Sequence, residues 1–400
     1  MKKTERIHGL DSLRAIMMFL GLVIHVSLTY VPEKPSYWFI KDPISYNIFF
    51  DALAKWIHIF RMPIFFIISG FFSALLFYER NPKKMFFNRI NRIVFPFIAG
   101  LFLIIPIYKF SVSLSTAIFS GEEHSLQIAL KNFNTGTLFP LETVHLWFLY
   151  YLAYISFIFW FIAKITKKYS YRNSIFHKSF DFILKNNFLG IILFSFISFF
   201  ALRNMGTSTA NASFSLVPNY KLFTFYVLYF SYGWFLFRSK NLLKIYIPYT
   251  WTNISIGTIF FTFNLYFNLF SNFELIYAQI TYSIAIWFYN FGFMGLFLKY
   301  FNFKSSKMRY MSDASYWVYL VHLPIVIYLP SLILELEISA FSKFAIIMFL
   351  SFGICMLSYH YLVRSTFIGK FLNGRTYPYR PLFSWRKVSV KQKSDLDTKT

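Results

Sequence analysis

Long apolar runs separated by short polar segments dominate the pattern of this chain. A helix needs about 20 such residues to cross the hydrocarbon core of a bilayer. Ten runs are long enough to be considered, although the fifth and sixth are short, and together they predict an all-α bundle of about ten transmembrane helices. The runs lie at Leu13–Tyr30, Met62–Phe77, Ile93–Ser113, Val144–Ala163, Phe188–Leu202, Leu222–Phe237, Ile247–Phe270, Leu275–Leu298, Ser312–Ser331 and Phe344–Val363. Residues 47–61 are apolar with a charged head, and we expect either an interfacial helix or an extension of the second span.

Composition agrees with a membrane bundle and excludes several other classes. The 400 residues are 57% hydrophobic and 14% charged, whereas soluble domains are about 25% charged. A cytosolic enzyme, a secreted disulfide scaffold and a disordered chain are therefore excluded. The single cysteine, Cys355, also excludes an internal disulfide and a cysteine-rich metal site.

Lysine and arginine predict how the bundle is oriented. Of the 40 basic residues, 30 fall in alternate connecting segments on one side and seven on the other. The positive-inside rule then predicts both termini in the cytoplasm. It explains the net charge of +24 without a nucleic-acid partner. The predicted domains are a cytoplasmic N-terminus at 1–12, a transmembrane domain at 13–363 and a basic cytoplasmic tail at 364–400.

The opening span carries two ionisable groups, which are costly inside a bilayer and are functional hypotheses by default. Arg14 and His25 are eleven residues apart, within about 20° of three full helical turns, so they are predicted to share one face roughly 16 Å apart along the axis. Arg14 could equally be a snorkelling anchor, and His25 a hydrogen-bonded structural residue. Asp11 or Ser12 is predicted to cap the helix.

The second span is preceded by His58 and Arg61, which are neighbours on a helix face near the outer interface. Pro63 suits a helix start or a kink, and Ser69-Gly70 allows close helix approach. A simple interfacial anchor is the alternative interpretation.

The fourth span begins with Glu142, His145 and Trp147. Glu142 and His145 are three residues apart and could pair. An aromatic belt at the membrane surface would explain Trp147 without any function.

The ninth span contains His322 near its middle, followed by Pro324. Proline cannot donate to the carbonyl four residues back, so the Leu320 carbonyl is predicted to be a free acceptor facing a cavity. A kinked helix with a structural histidine is the alternative. Ser312 or Asp313 is predicted to cap this helix.

Arg89 and Arg92 lie three residues apart at the cytoplasmic edge of the third span. Such a fork is suited to holding phosphate. Topology alone would also place arginines there.

Together these groups predict a polar cavity between helices with a basic cytoplasmic rim. A histidine can act as general base on a hydroxyl, which suits acyl transfer from the cytoplasmic side to an outer hydroxyl. Proton-coupled transport by a transporter or flippase, or a non-catalytic role in an envelope assembly, fits the same residues. No HExxH, P-loop or GxSxG motif occurs, and no metal site is predicted.

Four strings, in this order, resemble the integral-membrane acyltransferase 3 family, and within it the glucans biosynthesis protein C branch. The resemblance covers about residues 6–370. The strings are Leu10-Asp11-Ser12-Leu13-Arg14 followed by His25-Val26-Ser27-Leu28, Phe60-Arg61-Met62 followed by Phe65-Phe66-Ile67-Ile68-Ser69-Gly70, His145-Leu146-Trp147-Phe148-Leu149, and Ala314-Ser315 followed by Tyr319-Leu320-Val321-His322-Leu323-Pro324.

The resemblance implies an enzyme of the bacterial inner membrane that moves acetyl or succinyl groups onto hydroxyls of a periplasmic or surface glycan. It implies acyl-CoA as co-substrate and no bound cofactor, with His25 catalytic beside Arg14, and Arg89 and Arg92 on the donor side. A periplasmic or envelope protein is a further partner left open. The expected lining of the outer, acceptor half is His58, Arg61, His145, Trp147, Ser69, Tyr319 and His322.

Overall fold

The computed structural model describes residues 6–139, 142–166, 175–269 and 274–379. Within these ranges the chain is almost entirely helical, and its extended pairing is limited to one bridge between Glu142 and Ser215. The helices are α1 His8–Ser27, α2 Ile48–Leu75, α3 Pro82–Arg89, α4 Phe95–Phe119, α5 Ser125–Asn132, α6 Thr135–Leu138, α7 Trp147–Thr166, α8 Ile175–Lys185, α9 Asn187–Met205, α10 Tyr220–Arg238, α11 Thr250–Leu269, α12 Leu275–Tyr300, α13 Ser306–Tyr328, α14 Ala340–Ser358 and α15 Phe367–Asn373.

The predicted membrane bundle is confirmed. In the described part of the chain, eight helical segments are long and apolar enough to cross a membrane. Helices α10 and α11 occupy the sixth and seventh predicted positions but are not among the eight. In α11 the polar side chains are satisfied inside the bundle: Asn253 exchanges hydrogen bonds with Asn187, and Asn264 donates to the Ala278 carbonyl at 2.8 Å.

Residues 47–61 extend the second span rather than forming a separate interfacial helix. Helix α2 runs without interruption from Ile48 and contains Pro63 in its interior, so Pro63 is not a helix start. Asn47 caps it by accepting the Phe49 amide. The His58–Arg61 pair is therefore carried on a continuous rod that enters the bundle.

The predicted helix caps are wrong, because both helices begin earlier. Helix α1 starts at His8, where the Gly9 amide donates to the Asn302 side chain at 2.9 Å. This tertiary contact replaces a local cap, and Asp11 pairs instead with Arg6 at 2.6 Å. Helix α13 is capped by Ser305, well before the predicted Ser312 or Asp313.

Both ends of the described chain meet the same end of the bundle. The start of α1 bonds Asn302, just before α13. After α15, the Tyr377 hydroxyl donates to the Asp313 carboxylate at 2.7 Å, and Asn373 donates to the Asp313 carbonyl. This arrangement is the one that an even number of spans requires. Residues 380–400 of the predicted tail lie outside the described residues.

Close backbone packing joins α2 to α10, as the Ser69-Gly70 pair predicted. A Cβ atom on Gly70 would lie 2.1 Å from the Phe230 carbonyl oxygen, and one on Gly233 would lie 1.8 Å from that of Ile67. Only glycine fits at both places. Helix α1 packs against α2, α12, α13 and α14.

The connection after α1 is held in place by a buried ion pair. The Lys343 ammonium contacts the Asp42 carboxylate at 2.7 Å and the Leu334 carbonyl at 3.0 Å. The amides of Ile44 and Ser45 also donate to Asp42. Since a buried charge is tolerated only when it is well satisfied, this pair is a structural clamp on the connection that reaches the site.

Candidate active site

One stripe of α1 faces α2, as the spacing of Arg14 and His25 predicts. The Arg14 guanidinium lies 5.8 Å from the centre of the Phe72 ring. Between Arg14 and His25, a Cβ atom on Gly21 would lie 2.8 Å from the Arg61 guanidinium. Glycine at position 21 therefore makes the space in which the Arg61 side chain lies.

A cavity of about 140 Å³ collects basic side chains from four separate segments. We call it the histidine cavity. His25 reaches it from α1, His58 and Arg61 from α2, His145 from the turn before α7, and His322 from α13. The ring centres of His25 and His322 are 5.2 Å apart, and those of His145 and His322 are 5.5 Å apart. The fold thus brings together four histidines that the sequence spreads over most of its length.

The orientation of His322 is set by its own helix. Its Nδ1 lies 3.0 Å from the Val318 carbonyl oxygen and 2.8 Å from that of Tyr319. A carbonyl oxygen only accepts, so Nδ1 carries the proton and Nε2 of the neutral ring is an acceptor. That Nε2 is buried without a hydrogen-bond partner.

His145 is oriented by the proline-freed carbonyl of α13. Its Nε2 donates to the Leu320 oxygen at 3.1 Å, four residues before Pro324, so the predicted free acceptor exists and is used by a histidine. The Nδ1 of His145 is buried without a partner. The pairing of His145 with Glu142 that their spacing allows is not formed, since Glu142 is exposed and lies on the other side of a sharp backbone turn.

That turn stores backbone strain next to the cavity. Val144 has a φ of 44°, in the left-handed region that β-branched residues rarely adopt. It is held by the Thr143 amide, which donates to the Phe214 carbonyl at 2.6 Å, and by the Leu146 amide, which donates to the Thr143 carbonyl at 2.8 Å. Strained residues of this kind concentrate at functional sites. The Tyr319 hydroxyl donates to the His145 carbonyl at 2.8 Å and adds a further constraint.

His25 is stacked rather than hydrogen-bonded. Its ring is nearly parallel to that of Trp38, with centres 5.7 Å apart. The Trp38 indole donates to the Thr29 hydroxyl at 3.3 Å, which holds the stack. The Nδ1 of His25 is buried without a partner. The Nδ1 atom therefore does not support the alternative interpretation of His25 as a hydrogen-bonded structural residue.

Arg61 brings a guanidinium into the histidine cavity without a carboxylate to balance it. Its Nε is buried with no hydrogen-bond partner, and the residues that line the cavity include no aspartate or glutamate in the described ranges. A cationic group in such surroundings favours binding of negative charge. The sequence placed Arg61 in the lining, and the structure adds that its guanidinium packs against Gly21 of the helix that carries His25.

Of two other residues predicted to line the cavity, Trp147 does so and Ser69 does not. Trp147 lines the cavity and is only 6% exposed, with its ring 5.4 Å from that of Tyr226, so it is not part of a lipid-facing belt. Ser69 does not line the cavity. Its carbonyl oxygen accepts the Ser73 hydroxyl at 2.7 Å, within α2.

The predicted donor-side arginines lie at the opposite end of the stripe. Arg89 is buried and donates to the Ser73 hydroxyl at 2.6 Å, within electrostatic range of Arg14. Arg92 instead contacts Gly374, where a Cβ atom would lie 1.6 Å from its guanidinium. A π-helical turn over Ile90–Val94 follows Arg89 and interrupts the regular spacing. The two guanidinium groups therefore contact different elements.

The polar side chains of the histidine cavity offer mainly nitrogen atoms to a bound molecule. Among the residues that the structure describes, no group of three histidine, cysteine, aspartate or glutamate side chains is arranged to hold a metal ion. Cys355 is buried in α14 with a free thiol. The histidine cavity therefore offers imidazole acceptors and one guanidinium.

Comparison with known proteins identifies the family. A family model described as an acyltransferase domain matches residues 7–360. The chain is 26% identical over 337 residues to glucans biosynthesis protein C of Escherichia coli strain K12, covering 81% of this chain and 83% of that protein. The protein of the same name from Escherichia coli O157:H7 is 25% identical over the same length. No solved structure matches the chain. Because the family match spans almost the whole helical bundle, this multi-pass membrane protein belongs to the acyltransferase 3 family and is an acyltransferase.

Proposed function

We propose that the protein transfers a succinyl or acetyl group from acyl-CoA to hydroxyl groups of a periplasmic or cell-surface glycan, in the bacterial inner membrane. One observation carries the proposal: one cavity is lined by three histidines that each have a buried nitrogen without a partner, and by Arg61, whose buried Nε also lacks one. The name of the relatives, glucans biosynthesis protein C, supports a glycan as acceptor.

In the proposed reaction His25 accepts the proton of an acceptor hydroxyl. The hydroxyl oxygen then forms a bond to the thioester carbonyl carbon, the carbon–sulfur bond breaks, and CoA leaves as the thiol after taking up the proton. A general base of this kind typically contributes about 10²–10⁴-fold in rate. Stacking on Trp38 fixes the plane of the His25 ring, so the acceptor nitrogen is oriented before the substrate arrives.

Arg61 is proposed to stabilise the negative charge that develops on the carbonyl oxygen. Preorganised donors aimed at such an oxygen usually give the largest electrostatic contribution to acyl transfer. The sequence predicts that Arg14 acts beside His25, where it would position the donor or the acyl carbonyl. Arg14 is 41% exposed and lies beside Asp11, and it is not part of the cavity lining. We therefore propose Arg14, with Arg89 and Arg92, for positioning the donor at the cytoplasmic end.

A transporter or flippase would use the same groups as a proton relay. Membership of an acyltransferase family favours the enzyme. The two hypotheses differ in stoichiometry, because only the enzyme consumes acyl-CoA.

Purified protein in lipid nanodiscs, supplied with succinyl-CoA or acetyl-CoA and a glucose oligosaccharide, tests the proposal. We expect free CoA thiol to appear only when the oligosaccharide is present, and the product mass to increase by one acyl group. Uptake of unmodified oligosaccharide into proteoliposomes without CoA release would instead identify a transporter. The donor that supports the faster rate identifies the acyl group.

A further inference from the structure

A second and larger cavity adjoins the histidine cavity at the outer end of the bundle. We call it the vestibule; its volume is about 910 Å³. It is bounded by the second half of α4, by α5 and α6, by the connection after α1, and by the chain before α7 and α10. The two cavities share four lining residues, Tyr37, Tyr108, Val144 and Phe214. A ligand in the vestibule therefore borders the space that contains His25.

Paired aromatic rings form much of the vestibule wall. Three pairs have ring centres 6.0–6.5 Å apart. Several of these rings are partly uncovered: Tyr37 is 46% exposed, Phe39 43% and Phe133 39%. The pairs are Tyr37 with Phe214, Phe39 with Tyr108, and Phe110 with Phe133. Uncovered ring faces in a concave site are suited to the apolar faces of planar or saturated rings.

Small polar groups lie between the rings. Asn132 donates to the Ser113 hydroxyl at 3.0 Å, and the Thr137 hydroxyl donates to the Asn132 carbonyl at 3.2 Å. Lys109 and Glu142 add one charge of each sign. The vestibule is thus close to neutral, unlike the basic histidine cavity beside it, and it combines aromatic rings with several hydroxyl groups and the Asn132 amide. Such a wall matches a ligand that has both apolar ring faces and many hydroxyl groups.

We propose that the vestibule binds the acceptor glycan over more than one sugar ring and presents one hydroxyl to His25. The substrate class rests on the proposed function. Ring faces would stack on the exposed aromatics while the hydroxyls bond to the small polar groups. The volume lies toward the upper part of the range of about 300–1,000 Å³ for small-molecule sites, which suits an oligosaccharide. The connection after α1 links the two spaces, since Tyr37 lines the vestibule and the next residue, Trp38, stacks on His25.

Binding can be measured without any acyl donor. Isothermal titration of the nanodisc-embedded protein with a glucose tetrasaccharide should give saturable binding that is stronger than binding of methyl glucoside. Phe133→Ala should weaken tetrasaccharide binding about tenfold, the size expected for losing one aromatic contact. Phe133→Trp should retain binding, which separates a lost ring from a lost fold. Phe188→Ala is the matched control: Phe188 is 41% exposed, lies near two rings, and lines neither cavity.

Absence of tetrasaccharide binding, or equal binding by the parent and Phe133→Ala, would overturn the vestibule proposal. Transfer assays keep its failure separate from that of the proposed function. If Phe133→Ala raises the KM for the tetrasaccharide by a larger factor than the KM for methyl glucoside, both stand. If the parent transfers acyl groups to the tetrasaccharide but Phe133→Ala leaves KM unchanged, the function stands and the vestibule proposal fails. If the parent binds the tetrasaccharide through Phe133 but transfers nothing to it, the vestibule stands as a glycan site and the proposed function fails.

Discussion

The two ends of α1 place basic groups in different surroundings. At the end predicted to be cytoplasmic, Arg14 lies 3.6 Å from Asp11 and is partly exposed, and Arg89 donates to the Ser73 hydroxyl although its buried Nε has no partner. At the outer end, His25 and Arg61 have buried nitrogens with no partner at all. A buried polar atom without a hydrogen bond costs roughly 1–3 kcal/mol.

The difference lies in how these groups are arranged. Arg14 and Arg89 each have one local partner, so their positions agree with an electrostatic rim as well as with a donor site. Buried nitrogens without a partner occur at both ends, but four of them, on His25, Arg61, His145 and His322, belong to residues that line one cavity. This contrast makes the histidine cavity the better-supported part of the site.

The largest expected effect follows from removing the proposed base. His25→Ala should lower kcat for acyl transfer by about 10²–10⁴-fold, with little change in thermal stability because His25 makes no hydrogen bond through its buried Nδ1. The rate of CoA release with the glucose tetrasaccharide measures the effect. His124→Ala, at an exposed histidine outside both cavities, is the control. Activity near the parent level, with normal protein yield, would remove His25 from the chemistry.

Substitution of Arg61 should give the next-largest effect. The direction in which the melting temperature changes distinguishes a catalytic from a structural role. Arg61→Gln should lower kcat about 10²–10³-fold, as expected for the loss of an oxyanion-stabilising donor. It should leave the melting temperature unchanged or raise it, because a guanidinium without a counter-ion is removed from the interior. Arg61→Lys keeps the charge and should be intermediate in kcat. Parallel loss of activity and melting temperature in both variants would instead indicate a structural residue.

The sequence predicted the individual groups better than it predicted their environment. The helical period places Arg14 and His25 on one face, and Pro324 predicts the free carbonyl that His145 uses. Local patterns could not show the early start of α1, which depends on Asn302, nor the π-helical turn after Arg89. These features depend on contacts between segments that are far apart in sequence.

The vestibule was missed for a related reason. Its wall consists mainly of Phe, Tyr, Ser, Thr and Asn residues on α4, short helices and connections, none of which stands out in an aromatic-rich chain. The strained Val144 also has no sequence signal, because Val is a residue that rarely adopts a positive φ. Ionisable residues in apolar runs are visible in a sequence, whereas concave surfaces built from common residues are not.

At the cytoplasmic end, the predicted effects are on donor affinity rather than on the chemical step. Arg89→Ala and Arg92→Ala should each raise the KM for acyl-CoA, since a hydrogen bond to a charged group contributes about 1.5–3 kcal/mol, or roughly ten- to a hundredfold. The kcat at saturating donor should change little. Steady-state kinetics at varied acyl-CoA checks this, with Arg203→Ala, in the last turn of α9 and outside both cavities, as the control. A fall in kcat at unchanged KM would contradict the division between the two ends of α1.

The smallest effect is expected at Ser69, which the sequence placed with the cavity residues. Ser69→Ala should change kcat, KM and the free energy of unfolding only slightly, within about 0.5 kcal/mol, because its contact to Ser73 uses the backbone carbonyl and its hydroxyl is outside the cavity lining. Ser73→Ala, four residues further along α2, is the matched comparison. It removes the hydroxyl that accepts from Arg89, so it should raise the KM for acyl-CoA while leaving kcat unchanged. Equal kcat losses in both serine variants would mean that this face of α2 contributes to the reaction centre. The reaction centre would then extend along α1 and α2 beyond the histidine cavity, toward Arg14 and Arg89.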